Sequence, residues 1–362
     1  MRDSISVHEF RLASHSGVGG IPYRARSHFD GQNILENGTD IAHCTPDGWL
    51  NRALVSLGST DRRLGLAVGP GVPLMLRGAA PVATYAPTGL PEARDEFLSR
   101  VRMLYRGDER LHNALEEGVQ SKEFTERVLG GRARRRNNEI RANFVAAAKL
   151  LAHADGPRIG VIETEGWDTH AGQGIEGGRL ANLLGGLANG FAAMPGAMAR
   201  AWKQTAVTAV TEFGRTAAMN GTGGTDHGTG GLAFLFGGAI RGGRVWSDWP
   251  GLSEEQLFEG RDLMPVTDLR RIFKGLLRDH LHVAGTRNIF VQPEFRDSLE
   301  IAGLMDLVER KDDLALLLSD RQGVVVCVDP WRPFWDIEVE PRIGAIRMNE
   351  ALKSGELFRL FL

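Results

Sequence analysis

The sequence predicts an α/β fold with a mainly parallel sheet covered by helices on both faces. Three observations predict it. Short apolar, β-branched runs alternate with stretches of helical spacing. Glycine, at 46 of 362 residues, is nearly twice its average share of about 7% and implies many tight turns and close backbone approaches. Polar clusters follow the strand-like runs, where ligands sit in sheets of this kind.

The elements follow in order. A helix is expected from Ser27 to Asn37, with Ser27 at its N-cap. Leu64–Val68 reads as a short buried strand. Pro91–Arg106 has helical spacing, with Phe97, Val101 and Leu104 on one side. The helical pattern continues from Asp108 to Ala154, with breaks expected at Gly118 and at Gly130–Gly131. The four arginines within Arg132–Arg136 read as a solvated helix start rather than an anion patch. Arg158–Glu163 is a strand, Leu180–Trp202 a small-residue helix, and Thr205–Thr211 an interior parallel strand. Leu232–Phe236 is a further strand. Thr267–His280 is a helix with a Thr or Asp cap and a stripe of Leu269, Ile272, Phe273 and Leu276. Val324–Val328 reads as a strand in a tail that begins near Leu304.

Composition narrows the function classes. With 42% hydrophobic and 24% charged residues, wholesale disorder is excluded. A formal net charge of -2 gives no bulk electrostatic case for nucleic acid or an anionic membrane. No apolar run reaches the roughly 18 residues of a membrane span. Cys44 and Cys327 make neither a disulfide framework nor a thiolate zinc site. The start, Met1–Ser6, shows no signal peptide. A length of 362 residues fits one large domain, or a domain plus an appendage.

Three polar clusters carry the chemistry. Glu165–His170 follows the Arg158–Glu163 strand, Thr211–Thr216 ends the next strand, and Gly223–Gly228 precedes the third. Asp168, His170, Glu212, Asp226 and His227 supply five potential ligands for a divalent cation, because imidazole and carboxylate together suit zinc, manganese or iron and the carboxylates also accept magnesium. Each cluster taken singly reads as a hydrogen-bonded turn; three at strand ends read as a site. Arg215 either pairs with Glu212 or neutralises an oxyanion. Ser27 either caps its helix or, at a helix start close to a cation, attacks phosphorus or sulfur. Trp167, Trp246 and Trp249 read as packing residues rather than a carbohydrate platform. The Gly221–Gly231 run lacks the marks of a P-loop or dinucleotide turn.

Arg26-Ser-His-Phe-Asp30, Thr45-Pro-Asp-Gly-Trp-Leu-Asn51, Gly166-Trp-Asp-Thr-His170, Thr211-Glu-Phe-Gly-Arg-Thr216, Gly224-Thr-Asp-His-Gly228, Gly242-Gly-Arg-Val-Trp246 and Trp249-Pro-Gly-Leu252 occur in that order. Over about Ser14–Leu304 the chain thereby resembles the bacterial family of domain of unknown function 1501, grouped with the alkaline-phosphatase-like superfamily. The resemblance implies a metal site at the strand ends, built from Asp168, His170, Glu212, Asp226 and His227 around Zn, Mn, Mg or Ca. It also implies a nucleophile at a helix start, the place of Ser27. A hydrolase reading adds His28 or His170 as the acid and Arg215 or Arg26 to balance charge on the oxyanion, with Arg26 and Thr225 as substrate-binding candidates. Members usually begin with an export signal, often of the twin-arginine type, and an Arg-Gly-Gly-x-Asp-Gly strand. Neither is present here, so the expectation is a sheet short of one central strand and a site short of one Asp. The chain reads as cytoplasmic as written, and as exported if that segment lies upstream. Residues 1–303 are expected to form the family domain and 304–362 an extension. Two functions follow as expectations: a metal-dependent hydrolase of small-molecule phosphate or sulfate esters, or a non-catalytic relative that binds an anionic ligand or a partner.

Overall fold

The computed structural model of the chain describes residues 14–58, 64–69, 71–86, 93–130, 140–175, 177–245, 248, 250–283, 285–290 and 323–329. One sheet of eight strands organises it: β1 (Ser14–Gly19), β2 (Gly65–Val68), β3 (Ala83–Tyr85), β4 (Ile159–Glu163), β5 (Thr205–Thr211), β6 (Gly231–Phe236), β7 (Arg244–Val245) and β8 (Gly323–Asp329). Their order across the sheet is β3-β2-β4-β8-β5-β6-β1-β7. The run from β3 to β5 is parallel throughout. β6 runs against both of its neighbours. β5 therefore has one parallel and one antiparallel partner.

The sheet has no gap where a central strand was expected to be missing. β8, from the tail, lies parallel between β4 and β5, paired from Gly323 through Asp329.

Strand residues alternate between two cores, as the two-residue period requires. On one face Leu66, Ile162, Val207 and Phe234 pack with Phe144 of α5 (Ile140–Ala152) and with Leu184 and Phe191 of α6 (Arg179–Met198). On the other, Ala67, Val161, Ala206 and Leu235 pack with Ile34 and Leu35 of α1 (His28–Asn37), with Trp49 and Leu50 of α2 (Trp49–Ser56), and with Leu269 and Phe273 of α7 (Leu269–Gly275). Each fully buried Leu, Ile or Phe in these layers contributes about 1.5–3 kcal/mol of burial.

Two expectations need correction, the break at Gly118 and the length of the last helix. The stripe on α3 (Asp95–Tyr105) does not face a core: Phe97 is 59% and Leu104 79% exposed. α3 lies against α4 (Glu109–Leu129), joined by the Arg102–Glu116 ion pair. α4 continues through Gly118, where a glycine in an exposed helix costs only about 1 kcal/mol. The break at Gly130 is present as a left-handed C-cap. The last expected helix is shorter than its pattern: Asp268 caps α7, and residues Leu276–His280 turn as a π-helix. The Arg132–Arg136 cluster, Trp246 and Trp249 lie outside the described residues. No described helix is long and apolar enough to cross a membrane.

Candidate metal centre

Four segments meet at one edge of the sheet. β4 and β5 end there and lead into Asp168–His170 and Glu212–Thr216. β6 begins there because it runs the other way, so the loop before it, 220–230, arrives at the same edge. β1 is also parallel to β5, and its exit leads through Arg26 into the start of α1.

Local geometry locks these loops together. Arg215 and His227 form an antiparallel bridge, and the Gly228 N–H donates to the Gly214 carbonyl at 2.7 Å. A Cβ on Gly228 would lie 2.3 Å from the Arg215 oxygen, so only glycine permits this approach. Arg26 holds a left-handed φ of 61°, a strained state for a side-chain-bearing residue. Ion pairs to Glu259 and to the buried Asp262 hold it there.

Three imidazoles are each held at Nδ1 and turn Nε2 toward Asp168. His28 Nδ1 bonds Glu212 Oε1 at 2.8 Å, and its Nε2 lies 3.8 Å from Asp168 Oδ2. His170 Nδ1 bonds Asp226 Oδ1 at 3.0 Å, and its Nε2 lies 2.9 Å from Asp168 Oδ1. His227 Nδ1 donates to the Arg26 carbonyl at 2.9 Å, and its Nε2 lies 3.4 Å from Asp168 Oδ1. A carbonyl only accepts, so the His227 proton sits on Nδ1 and a lone pair faces inward. Phe213 packs against His28 and His227, with ring centroids 5.0 and 5.1 Å away.

The inward atoms are acceptors that a positive charge would satisfy, and Arg215 Nη1 already supplies one to Asp168 Oδ1 at 2.9 Å. His170 Nε2 is 2.9 Å from His227 Nε2, with the Asp168 carboxylate beside both. Acceptors thus crowd the His170 ring from both sides. They are satisfied by an imidazolium, or by a cation bound among them. His28, Asp168 and His227 each offer a ligand atom, all within 4.8 Å of one another. His28 Nε2 and Glu212 Oε2 are buried with no hydrogen-bond partner. This donor set fits a divalent ion: neutral imidazoles and a carboxylate, each imidazole oriented by an acceptor behind it.

The electrostatics prepare the same set. Burial pushes His227 down to about 4, helped by the neighbouring charge of His28, so its ring is neutral at neutral pH. Burial alone would raise the Asp168 carboxyl, but Arg215 and then His170 outweigh it and hold it below the ordinary range. Hydrogen bonds from Asn220 and His170 keep Asp226 low as well. Burial raises Glu212, against the pull of its bond to His28.

The expected ligands therefore separate into two groups. Asp168 and His227 face the centre together with His28, and His170 abuts them. Glu212 and Asp226 stand behind His28 and His170 as the groups that orient them. Arg215, only 1% exposed, is bound to Asp168 Oδ1 at 2.9 Å and to Thr225 Oγ1 at 3.1 Å. Arg215 and Arg26 are both engaged by protein carboxylates, so they fix the frame of the site. Thr225 is buried and donates to Gln173 Oε1. Ser27 is the N-cap of α1, yet its hydroxyl makes no capping bond. Trp167 is buried and bonds Thr164, as a packing residue would.

Sequence reasoning missed Gln173, Asn220 and Asp262. Asn220 Nδ2 donates to the His170 carbonyl and to Asp226 Oδ1, tying the loop before β6 to the loop after β4. Its one visible signal is an Asn-Gly turn pair within the glycine-rich run.

The model of a family described as protein of unknown function (DUF1501) matches residues 12–290, more than three quarters of the chain. A second, the HrcA protein C terminal domain, matches residues 256–334, less than a quarter of it. No curated protein and no solved structure matches. The DUF1501 match takes in every residue of the histidine–aspartate centre, and the chain belongs to the DUF1501 family.

Proposed function

We propose that the chain is a metal-dependent hydrolase of phosphate or sulfate esters. The observation that carries the reading is the convergence of three Nδ1-anchored imidazoles on one carboxylate, with His28 Nε2 buried and unpartnered. His28, Asp168 and His227 would hold the ion, with His170 beside them. The nitrogen-rich donor set favours zinc or manganese over magnesium or calcium.

A bound divalent ion supplies Lewis acidity and lowers the pKa of a nearby hydroxyl. Ser27, the residue before His28, has a hydroxyl that is not spent on capping α1. Its proton passes to solvent water as Oγ attacks phosphorus or sulfur; the new Oγ bond forms as the ester oxygen leaves, and a later water hydrolyses that bond to release the group and return the hydroxyl. His170, 43% exposed, is the imidazole that reaches solvent and protonates the leaving oxygen. Arg215 holds Asp168 in place through both states.

The test is to load the full chain with Zn, Mn, Mg or Ca, measure retained metal, and assay aryl phosphates and aryl sulfates. Stoichiometric zinc or manganese, lost in Asp168→Asn, together with turnover lost in Ser27→Ala, is expected. A folded protein that retains no ion refutes the metal centre. Retained ion without turnover of any ester refutes the hydrolase and leaves a binding protein.

A further inference from the structure

Gln173 is tied to Asp168 by two routes. Its side chain is buried, and its Oε1 accepts from Thr169 Oγ1 at 3.1 Å and from Thr225 Oγ1 at 2.9 Å. Thr169 follows Asp168 directly in the chain. Thr225 Oγ1 in turn accepts from Arg215 Nε at 3.1 Å, and Arg215 Nη1 donates to Asp168 Oδ1 at 2.9 Å. Thr225 and Arg215 are buried as well. One buried line of hydrogen bonds thus runs from Gln173 to the carboxylate of a candidate metal ligand.

Donor chemistry gives the line one direction. A guanidinium only donates, so the Thr225 hydroxyl accepts from Arg215 and must place its single proton elsewhere. Gln173 Oε1 receives it. Turning the Gln173 amide over would present a donor where Thr225 needs an acceptor. The glutamine itself is anchored through its main chain: its N–H donates to the Gly223 carbonyl at 3.0 Å, and its carbonyl accepts from the Leu180 N–H, in the first turn of α6, at 3.3 Å.

We propose that Gln173 is a positioning residue of the metal centre, which acts through Thr225 and Arg215 to set how Asp168 presents its carboxylate. The inference rests on the metal reading above and extends it to a residue that touches neither ion nor substrate. Without the glutamine oxygen the Thr225 proton loses its acceptor, Arg215 loses a fixed partner at Nε, and Asp168 is held less firmly. A ligand that must be re-ordered by the ion binds it more weakly.

The test uses the full-length protein, freed of metal and titrated with zinc against a competing chelator, after each variant has been checked for cooperative unfolding. Gln173→Met keeps the bulk and drops the oxygen; Thr225→Val keeps the shape and drops the hydroxyl. Each is expected to weaken zinc binding about tenfold. Thr225→Ser, which keeps the hydroxyl, is expected to bind about tenfold more tightly than Thr225→Val. Because the two residues act in series, the double variant should bind no more weakly than the weaker single one, whereas independent effects would multiply to about a hundredfold. In the metal-free protein, the Arg215 Nε–H should exchange with solvent at least about tenfold faster in Gln173→Met than in the wild type. If Asp168→Asn loses zinc and Gln173→Met keeps the wild-type affinity, this inference alone falls. Multiplying effects, or Nε–H exchange that ignores Gln173, overturn it equally. Should Gln173→Met not fold, equal zinc affinity in Thr225→Val and Thr225→Ser overturns it. A wild type that takes up no zinc overturns the metal reading, and this inference with it.

Discussion

Glu163 gives the most quantitative handle on the fold. It ends β4, and burial first, then the carboxylates of Glu36 and Glu165, raise it to about 7 against the partial relief of Arg77. Glu36 is itself buried; it accepts bonds from Gln32 Nε2 at 2.7 Å and from the Met75 N–H at 2.9 Å. In the unfolded chain Glu163 titrates at the ordinary 4.5. The folded state therefore holds this proton more tightly, and stability falls as pH rises from about 4.5 through 7. A shift from 4.5 to about 7, at 1.36 kcal/mol per unit, amounts to about 3 kcal/mol once the group is fully ionised. Glu163→Gln keeps the shape and removes the charge. It should stabilise the metal-free protein by about 3 kcal/mol at pH 8, shrinking to about 1.5 kcal/mol at pH 5.5. The melting temperature at pH 8 should rise by about 5 °C. Denaturant or thermal unfolding in a chelator, at both pH values, measures the difference. A variant no more stable than wild type at pH 8, or equally favoured at both pH values, would refute the argument that Glu163 is charged against its surroundings.

Other predictions concern the frame of the site and the core. A Cβ on Gly224 would lie 2.2 Å from the Thr169 oxygen, so Gly224→Ala should part the loops bearing His170 and His227; zinc affinity is expected to fall while stability drops only about 1–3 kcal/mol. Preserved affinity would show that the loops tolerate the shift. Trp49 stacks on Phe273 at 4.7 Å and donates Nε1–H to the Leu35 carbonyl. Trp49→Ala should therefore cost about 3–5 kcal/mol in equilibrium unfolding, and a loss below 1 kcal/mol would contradict that packing. In the metal-free protein, an NMR titration of His227 is expected to have its midpoint near pH 4. Because the unfolded chain takes that proton at 6.5, stability should decline as pH falls from 6.5 through 4. A midpoint at the ordinary histidine value would deny the burial that readies this ring.

Much of this arrangement could be read from local pattern. β5 is apolar and β-branched along its length, and its limits, Thr205 and Thr211, match the sequence reading. Asp268 marked a helix start because capping chemistry is local, whereas Ser27 holds the N-cap position without a capping bond. What escaped was set by partners distant in the chain. Nothing in Asp168, His170, Glu212, Asp226 and His227 as letters says which face an ion and which stand behind an imidazole; the difference arises only when β4, β5 and the loop before β6 are brought together. From the sequence His28 reads as a candidate acid, and the group that orients it, Glu212, lies 184 residues away. The α3 stripe had the right period, but period alone does not say what packs on it. The place of β8 was invisible for the same reason: Val324 pairs with Ile159, and no short-range signal encodes such a pairing.

That placement bears on how the protein is made. A ribosome emits β4 and β5 long before β8, so until residue 329 has emerged the two lack the neighbour that lies between them. Their unmet backbone edges are templates for wrong pairing during that interval. Closing so long a loop is also entropically slow. Biogenesis of this chain therefore calls for protection of the half-built sheet, and truncation before Gly323 should yield aggregation rather than a smaller folded product.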